Sequence, residues 1–381
     1  MRYRRLGKTG IEVSEIGFGG EWLERHTTDE CVELIHRAKD YGINILDCWM
    51  SNPVVRRNIG EGICGDRAHW HVQGHIGSTW KDGQYVRSRN VDECKYAFED
   101  LLNGLQTDYI DLGMIHYIDE QKEFDRVLDS DYLTYVYDLK RQGVIHHIGM
   151  STHNPKIAIQ AVEHDIVEMM LFSINPAFDM LPATEDLDEV FNETYSDLSL
   201  NGINKEREYL YKLCEQKGVG LTVMKGFAGG RLFDASQSPF GVALTPVQCI
   251  HYALTRPSVA SIMVGFDKLE HIDEAVSYES ASTEEKDYAT VLANAPRHSY
   301  VGQCTYCGHC APCPKGIDIA MVNKLYDLAT MQTEVPESIR QHYSDMALHA
   351  DDCIACHACE SRCPFGVTIA ERMKKTADLF K

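Results

Sequence analysis

This sequence predicts an α/β chain whose main body is a parallel (β/α)8 TIM barrel, entered through an N-terminal β-hairpin and followed by a small cysteine-rich helical appendage. Three observations carry the prediction. Short apolar runs alternate with helical stretches eight times, the pattern of parallel strands joined by crossover helices. The chain of 381 residues has room for one barrel-sized domain and a small addition. Two cysteine-rich runs mark that addition, CTYCGHCAPCP from Cys304 to Pro314 and CIACHACESRCP from Cys353 to Pro364. The expected division is a barrel over 1–296 and an appendage over 297–381.

The elements follow in order. MRYRRLGKTGIEVS holds two short runs split by Gly7 to Gly10, a hairpin ahead of the barrel. The eight barrel runs are Ile16 to Phe18, Ile43 to Leu46, His71 to Gln73, Tyr109 to Met114, Ile145 to Met150, Val167 to Phe172, Val219 to Met224 and Ser261 to Val264. TTDECVELIHRAKDYG opens on a capping signal and stops at Gly42, and VDECKYAFEDLLNGL has one apolar stripe. Further helices are expected over Thr134 to Arg141, Pro155 to Glu163, Lys205 to Lys217, Pro246 to Thr255 and Leu269 to Tyr278. Asp179 to Asn204 is longer and more polar than a barrel loop needs, which suits a lid. In the appendage, IDIAMVNKLYDLATM and a polar stretch around His342 to His349 look helical, and TIAERMKKTADLFK is amphipathic.

A formal net charge of -20 argues against nucleic-acid and anionic-membrane partners, which need a basic face. No apolar run approaches a membrane span. Fourteen cysteines without a leader-like segment suit a reducing, cytoplasmic setting.

The second cysteine run has the CxxCxxCxxxCP spacing of bacterial two-cluster ferredoxins, and the first is one residue tighter before its last cysteine. Three close thiolates bind three corners of a cubane, while the fourth, turned away by the proline, points to a neighbouring one. The expected ligation is therefore crossed, with Cys304, Cys307, Cys310 and Cys363 on one 4Fe-4S cluster and Cys353, Cys356, Cys359 and Cys313 on the other. Zinc is the alternative for paired CxxC motifs, but it gains nothing from a third CxxC step or from two Cys-Pro closures.

GINILD at strand two, DYIDLGMIH at strand four, GVIHHIGMSTHN at strand five, GVGLTVMKGFAGGRL at strand seven and SIMVGFDKLEHIDEA at strand eight resemble the aldo/keto reductases. More narrowly, the chain is similar to their bacterial branch with a C-terminal pair of 4Fe-4S motifs. The resemblance implies an Asp, Tyr, Lys, His tetrad, in which tyrosine protonates a carbonyl oxygen while NADPH gives a hydride. Asp47 matches the aspartate and His116 the histidine. The family pattern DTAxxYGxSExxxG falls on DCWMSNPVVRRNIG, which puts Asn52 in the tyrosine position, and the strand-three TK falls on Gly74 and His75. An amide cannot donate as a phenol does, so His75, beside Asp47, becomes the expected acid.

For a nicotinamide the resemblance implies Ser151 and Asn175 at the carboxamide, and Gly226, Gly229, Gly230 and Gly265 where backbone approaches phosphate. The family's 2'-phosphate arginine falls on His271, with Asp267 adding negative charge nearby, so NADP(H) is weakly supported. Arg56 and Arg57 are candidates to pair with an anionic substrate, Lys225 after strand seven is a candidate to fix an anion or transfer a proton, and His153 after strand five is a candidate to bind substrate. Asp47, His75, His116 and His153 also have the composition of a metal site. The six other cysteines are expected to be buried small hydrophobes, with Cys48 near the site.

The leading expectation is an anaerobic-type oxidoreductase whose clusters carry electrons between a ferredoxin-like donor and a small substrate in the barrel. The alternatives are an NADPH-dependent carbonyl reductase using His75, a metal or acid/base lyase with structural clusters, and a non-catalytic electron-transfer subunit.

Overall fold

The computed structural model describes residues 1–180, 202–295, 302–330 and 334–381. The antiparallel hairpin β1 (Tyr3–Arg5) and β2 (Glu12–Ser14) comes first. Its buried Leu6 and Val13 pack with Ile45, Leu112, Met114, Met169, Leu171, Ala260 and Met263, so the hairpin plugs one end of the barrel with apolar side chains.

The barrel strands are β3 (Ile16–Gly19), β4 (Ile45–Cys48), β5 (His71–Ile76), β8 (Ile110–Ile115), β9 (Ile145–Thr152), β10 (Met169–Ser173), β11 (Gly220–Met224) and β12 (Val259–Gly265). Each of the eight expected runs overlaps one of them, those from Ile43, Tyr109, Val167 and Val219 starting ahead of the observed strand. All pair in parallel, and β12 returns to β3 to close the barrel. The remaining two strands, β6 (Ser78–Lys81) and β7 (Gln84–Arg87), form an antiparallel hairpin outside the barrel sheet.

Several helices combine an apolar stripe with a side-chain cap. In Thr28–Asp40, Thr27 and Glu30 make a reciprocal capping box, and Cys31, Leu34, Ile35 and Ala38 are buried. The helix expected from Thr134 begins at Asp131, because the Ser130 hydroxyl accepts from Leu133 N–H and starts the first turn earlier. Pro155–Glu163 and Lys205–Lys217 match their expected limits, each led by an asparagine cap. Most of the expected lid, 181–201, lies outside the described residues, but its two ends meet: Asn204 N–H donates to Asp179 O at 2.6 Å. The expected 296/297 boundary also falls outside the described residues.

The C-terminal region carries helices Ile319–Ala329, Glu337–Ser344 and Ile369–Leu379. It docks on the barrel flank through polar contacts. Gln303 Oε1 accepts from Ile203 N–H at 2.7 Å, Lys324 pairs with Glu215 at 3.1 Å, and His309 lies 3.0 Å from Asp287. Arg256 and Tyr288 both donate to the carbonyl of Thr305, which sits between two of the clustered cysteines.

Candidate functional site

Alternation along the barrel strands decides which side chains meet in the mouth. On β4, Ile45 joins the packed barrel floor, so Asp47, two residues on, faces the same interior nearer the C-terminal rim. By the same step of two, Gln73 and His75 of β5 and Met114 and His116 at the end of β8 share the interior. Asp47, His75 and His116 are all buried.

These three form a line. His75 Nε2 lies 3.0 Å from Asp47 Oδ1, and His75 Nδ1 lies 2.8 Å from His116 Nδ1. Gln73 braces the far side, donating to Asp47 Oδ1 at 2.7 Å and accepting from the Thr222 hydroxyl at 2.7 Å. Burial first, then the charges of His75, Arg89, Arg87 and His153, hold the His116 imidazole well below the usual histidine range. His116 is therefore neutral near pH 7.

The outer nitrogen of His116 has a partner that the sequence reading missed. Tyr85 of β7 places its hydroxyl 2.8 Å from His116 Nε2. The hairpin that delivers it turns at Asp82 and Gly83, both at positive φ (53° and 78°), the two-residue turn that Asp-Gly favours. Alternating Ser78-Thr-Trp-Lys and Gln-Tyr-Val-Arg87 around Asp-Gly is the signal that would have found it. Trp49 fixes both rings, meeting Tyr85 edge-on at 5.6 Å and lying nearly parallel to His116 at 6.1 Å.

The other expected residues are placed as follows. Asn52 caps the helix Pro53–Ile63, accepting from Val54 N–H. Arg56, expected to meet substrate, is instead a buried structural residue. Its guanidinium donates to the carbonyls of Met50, Ala97 and Ser78 and pairs with Asp100 at 2.9 Å, because its helix turns it inward against Ala97 and Ser78. Arg57, one residue on, is exposed on the same helix. His153 is held by Asp119 at 3.0 Å and lies edge-on to Tyr117.

Asp47, His75, His116 and His153 do not converge on one point. Among the described residues the only group with metal-ready spacing is His349, Asp351 and Asp352, in the C-terminal region. The reason is visible in the mouth: the facing nitrogens of His75 and His116 bind each other. Cys48 is buried and its thiol is pushed up to about 12 by burial, which makes it inert. Of the other five cysteines outside the two motifs, Cys64 departs from expectation in being exposed.

For the nicotinamide set the placement is mixed. The Ser151 hydroxyl accepts from Tyr117 N–H at 2.9 Å, and Asn175 donates to Lys225 O at 2.8 Å while capping Pro176–Met180. Gly229 and Gly230 are left-handed in the turn after Lys225. A Cβ on Gly265 would lie 2.2 Å from Trp22 Cδ1, so this glycine admits an indole rather than a phosphate.

In the C-terminal region the eight motif cysteines surround two cavities. One is lined by Cys304, Cys307, Cys310 and Cys363, with Phe365, Val367 and Ile369 among its walls. The other is lined by Cys313, Cys353, Cys356 and Cys359 with Ile317, Ile319 and Met373. Arg362 draws the second motif across to the first, its guanidinium donating to Cys310 O at 2.6 Å and Pro312 O at 2.8 Å.

The sequence profile of the aldo/keto reductase family matches residues 15–243, and that of a 4Fe-4S dicluster domain matches 303–368. An uncharacterized oxidoreductase of Bacillus subtilis, YqkF, is 26% identical over 297 residues, 74% of this chain and 92% of that protein. The L-galactose dehydrogenase of Arabidopsis thaliana is 22% identical over 306 residues, 73% of this chain and 88% of its own. Among solved structures, an aldo-keto reductase from Bacillus halodurans in its holo form aligns with a TM-score of 0.58 at 20% identity, covering 75% of this chain and 94% of that one. That likeness establishes the barrel.

Proposed function

This chain belongs to the aldo/keto reductase family and carries a C-terminal 4Fe-4S dicluster domain, and we propose that it passes electrons between two 4Fe-4S clusters and a small molecule held at the barrel mouth. Asp47, His75 and His116 handle the accompanying proton. Cys304, Cys307, Cys310 and Cys363 hold one cluster and Cys313, Cys353, Cys356 and Cys359 the other, because four thiols line each cavity. When bound, each cluster supplies a one-electron relay whose potential its thiolates and surroundings set.

The observation that carries this reading is a buried connection between the first cavity and the mouth. Thr305, which lines that cavity, accepts from Arg256, whose guanidinium lies 4.5 Å over the Tyr252 ring. The Tyr252 hydroxyl donates to Asp179 at 2.7 Å, Asp179 N–H donates to Asn175 O at 3.0 Å, and Asn175 donates to Lys225 O. The second cavity instead reaches solvent, with Cys356 and Ile354 exposed at its edge. That order suits entry of electrons from a ferredoxin-like donor at Cys356 and delivery through the first site. Lys225, half-buried at the strand end, is the group to hold an anionic substrate.

The test uses anaerobically purified holoprotein, reduced methyl viologen as donor, and a panel of small carbonyl and enoyl carboxylates. Substrate-dependent viologen oxidation that the double variant Cys353→Ala, Cys356→Ala abolishes is expected. Turnover of the same compounds by iron-free protein with NADPH overturns the relay and favours a second reading, NADPH-dependent carbonyl reduction. The left-handed Gly229-Gly230 turn favours that reading, whereas Trp22 over Gly265 and the Asp267 carboxylate 3.2 Å from His26 oppose it.

A further inference from the structure

The aligned tyrosine position is occupied by Asn52, yet a phenol still reaches the histidine, from a hairpin outside the barrel sheet. We propose that Tyr85 is the catalytic residue that hands the proton to the substrate, and that His116, His75 and Asp47 reload it. This deepens the reading above and rests on it only for the identity of the proton's acceptor.

The geometry allows two complete hydrogen-bond patterns along the same atoms. With both imidazoles neutral, Tyr85 O–H donates to His116 Nε2, His116 Nδ1–H donates to His75 Nδ1, and His75 Nε2–H donates to Asp47 Oδ1. Adding one proton to His75 reverses two of these bonds. His75 Nδ1–H then donates to His116 Nδ1, His116 Nε2–H donates to the Tyr85 oxygen, and the Tyr85 hydroxyl proton points away from His116 into the mouth.

From that second state the transfer balances. Tyr85 Oη–H breaks as a bond forms from its proton to the substrate oxygen or carbon that has accepted electrons. The phenolate takes the His116 Nε2 proton, His116 takes the His75 Nδ1 proton, and the neutral first pattern is left behind. One positive charge leaves His75 and one proton reaches the substrate. His116 never carries net charge, as its burial beside Arg87 and Arg89 requires. At 40% exposure the Tyr85 side chain reaches solvent at the rim while its ring stays braced by Trp49.

Arg87 and Arg89 pair with Glu123 at 3.4 and 3.0 Å, and His153 pairs with Asp119. Glu21 lies within electrostatic reach of Asp47 and Lys225.

The first test needs neither substrate nor electrons. In holoprotein labelled with [13Cζ]tyrosine, the Tyr85 resonance is the one absent from Tyr85→Phe. Between about pH 5 and 8, where a histidine titrates, that resonance should shift with one midpoint, move to a different midpoint in Asp47→Asn, and become flat in His116→Phe. A Tyr85 signal that is flat in wild type, or unchanged in His116→Phe, overturns the relay. The second test is turnover in the viologen assay. Tyr85→Phe should lose about a hundredfold or more in kcat, the scale of a lost general acid, with KM and iron content unchanged. Normal kcat in Tyr85→Phe overturns the assignment even if the resonances are coupled. Failure of wild type in the viologen assay counts against the electron relay alone, and the resonance test still decides the proton line.

Discussion

The crossed cysteine assignment separates sharply in double variants. Two cubanes require about eight iron and eight acid-labile sulfide per chain. Replacing one thiol leaves three, enough to retain a damaged cluster, so single variants blur the answer; replacing two leaves a pair of thiols that cannot hold a cubane. Cys307→Ala with Cys363→Ala removes two ligands from the same cavity, since both line the first one. That protein should keep about four iron. Cys356→Ala with Cys363→Ala removes one from each cavity, so both sites are damaged and intact cubane signals should vanish. Ligation of each cluster by its own contiguous motif predicts the reverse, because Cys356 and Cys363 belong to one run and Cys307 and Cys363 to different ones. The assay is iron and sulfide content with low-temperature electron paramagnetic resonance of the dithionite-reduced protein. A Cys356→Ala, Cys363→Ala protein that keeps one intact cubane refutes the crossed arrangement, and iron that stays at about eight per chain in both doubles would refute cysteine ligation at these cavities.

Three further outcomes follow from the packing. Asp179 is fully buried, pairs with buried Arg207 at 3.1 Å and accepts from Tyr211 and Tyr252, so Asp179→Ala should cost about 3–5 kcal/mol by stranding the guanidinium, read as a fall in the urea midpoint. Arg56→Met should cost roughly 2–4 kcal/mol through its three orphaned carbonyls and Asp100, while leaving substrate KM unchanged; a raised KM with normal stability would return Arg56 to the substrate. His251, whose Nδ1 lies 3.2 Å from the Tyr278 hydroxyl, has its pKa lowered to about 4 by burial and the nearby Lys286, Arg4, Arg2 and Arg256 charges. A histidine held neutral in the fold gives stability that is full above its unfolded value near 6.5 and is lost as pH falls from there through about 4. The loss amounts to up to about 3 kcal/mol, and the difference between wild type and His251→Gln in thermal unfolding should shrink correspondingly between pH 7 and pH 4.

Local pattern was enough for the scaffold. Each barrel strand follows from a short apolar run bounded by polar loops, and the helix Pro155–Glu163 from an Asn cap, a proline and one apolar face, because these are properties of neighbours in the chain. The division of cysteines was legible for the same reason: spacing and two Cys-Pro closures restrict where a thiol can point, and the cavities group the eight as the spacing implies. Asp47, His75 and His116 were also within reach, since they end adjacent parallel strands and strand alternation turns them inward.

What tertiary structure alone decided is how those side chains are used. Arg56 and His75 were both candidate site residues, yet one is buried against carbonyls on a helix and the other faces Asp47 from the neighbouring strand. Sequence cannot separate them, because the difference lies in what residues 97, 100 and 116 place opposite. Gly265 looks like a phosphate-binding glycine until Trp22, far away in the chain, fills the space above it. Tyr85 had a local signal for its hairpin, Asp-Gly between alternating strands, but nothing local says that the hairpin folds over the barrel so that a phenol meets His116 Nε2. The sequence by itself determined the barrel, the two cysteine motifs and three inward residues; the fold decided which groups touch, because hydrogen bonds and close packing depend on separations of a few ångströms between segments that the chain order leaves free.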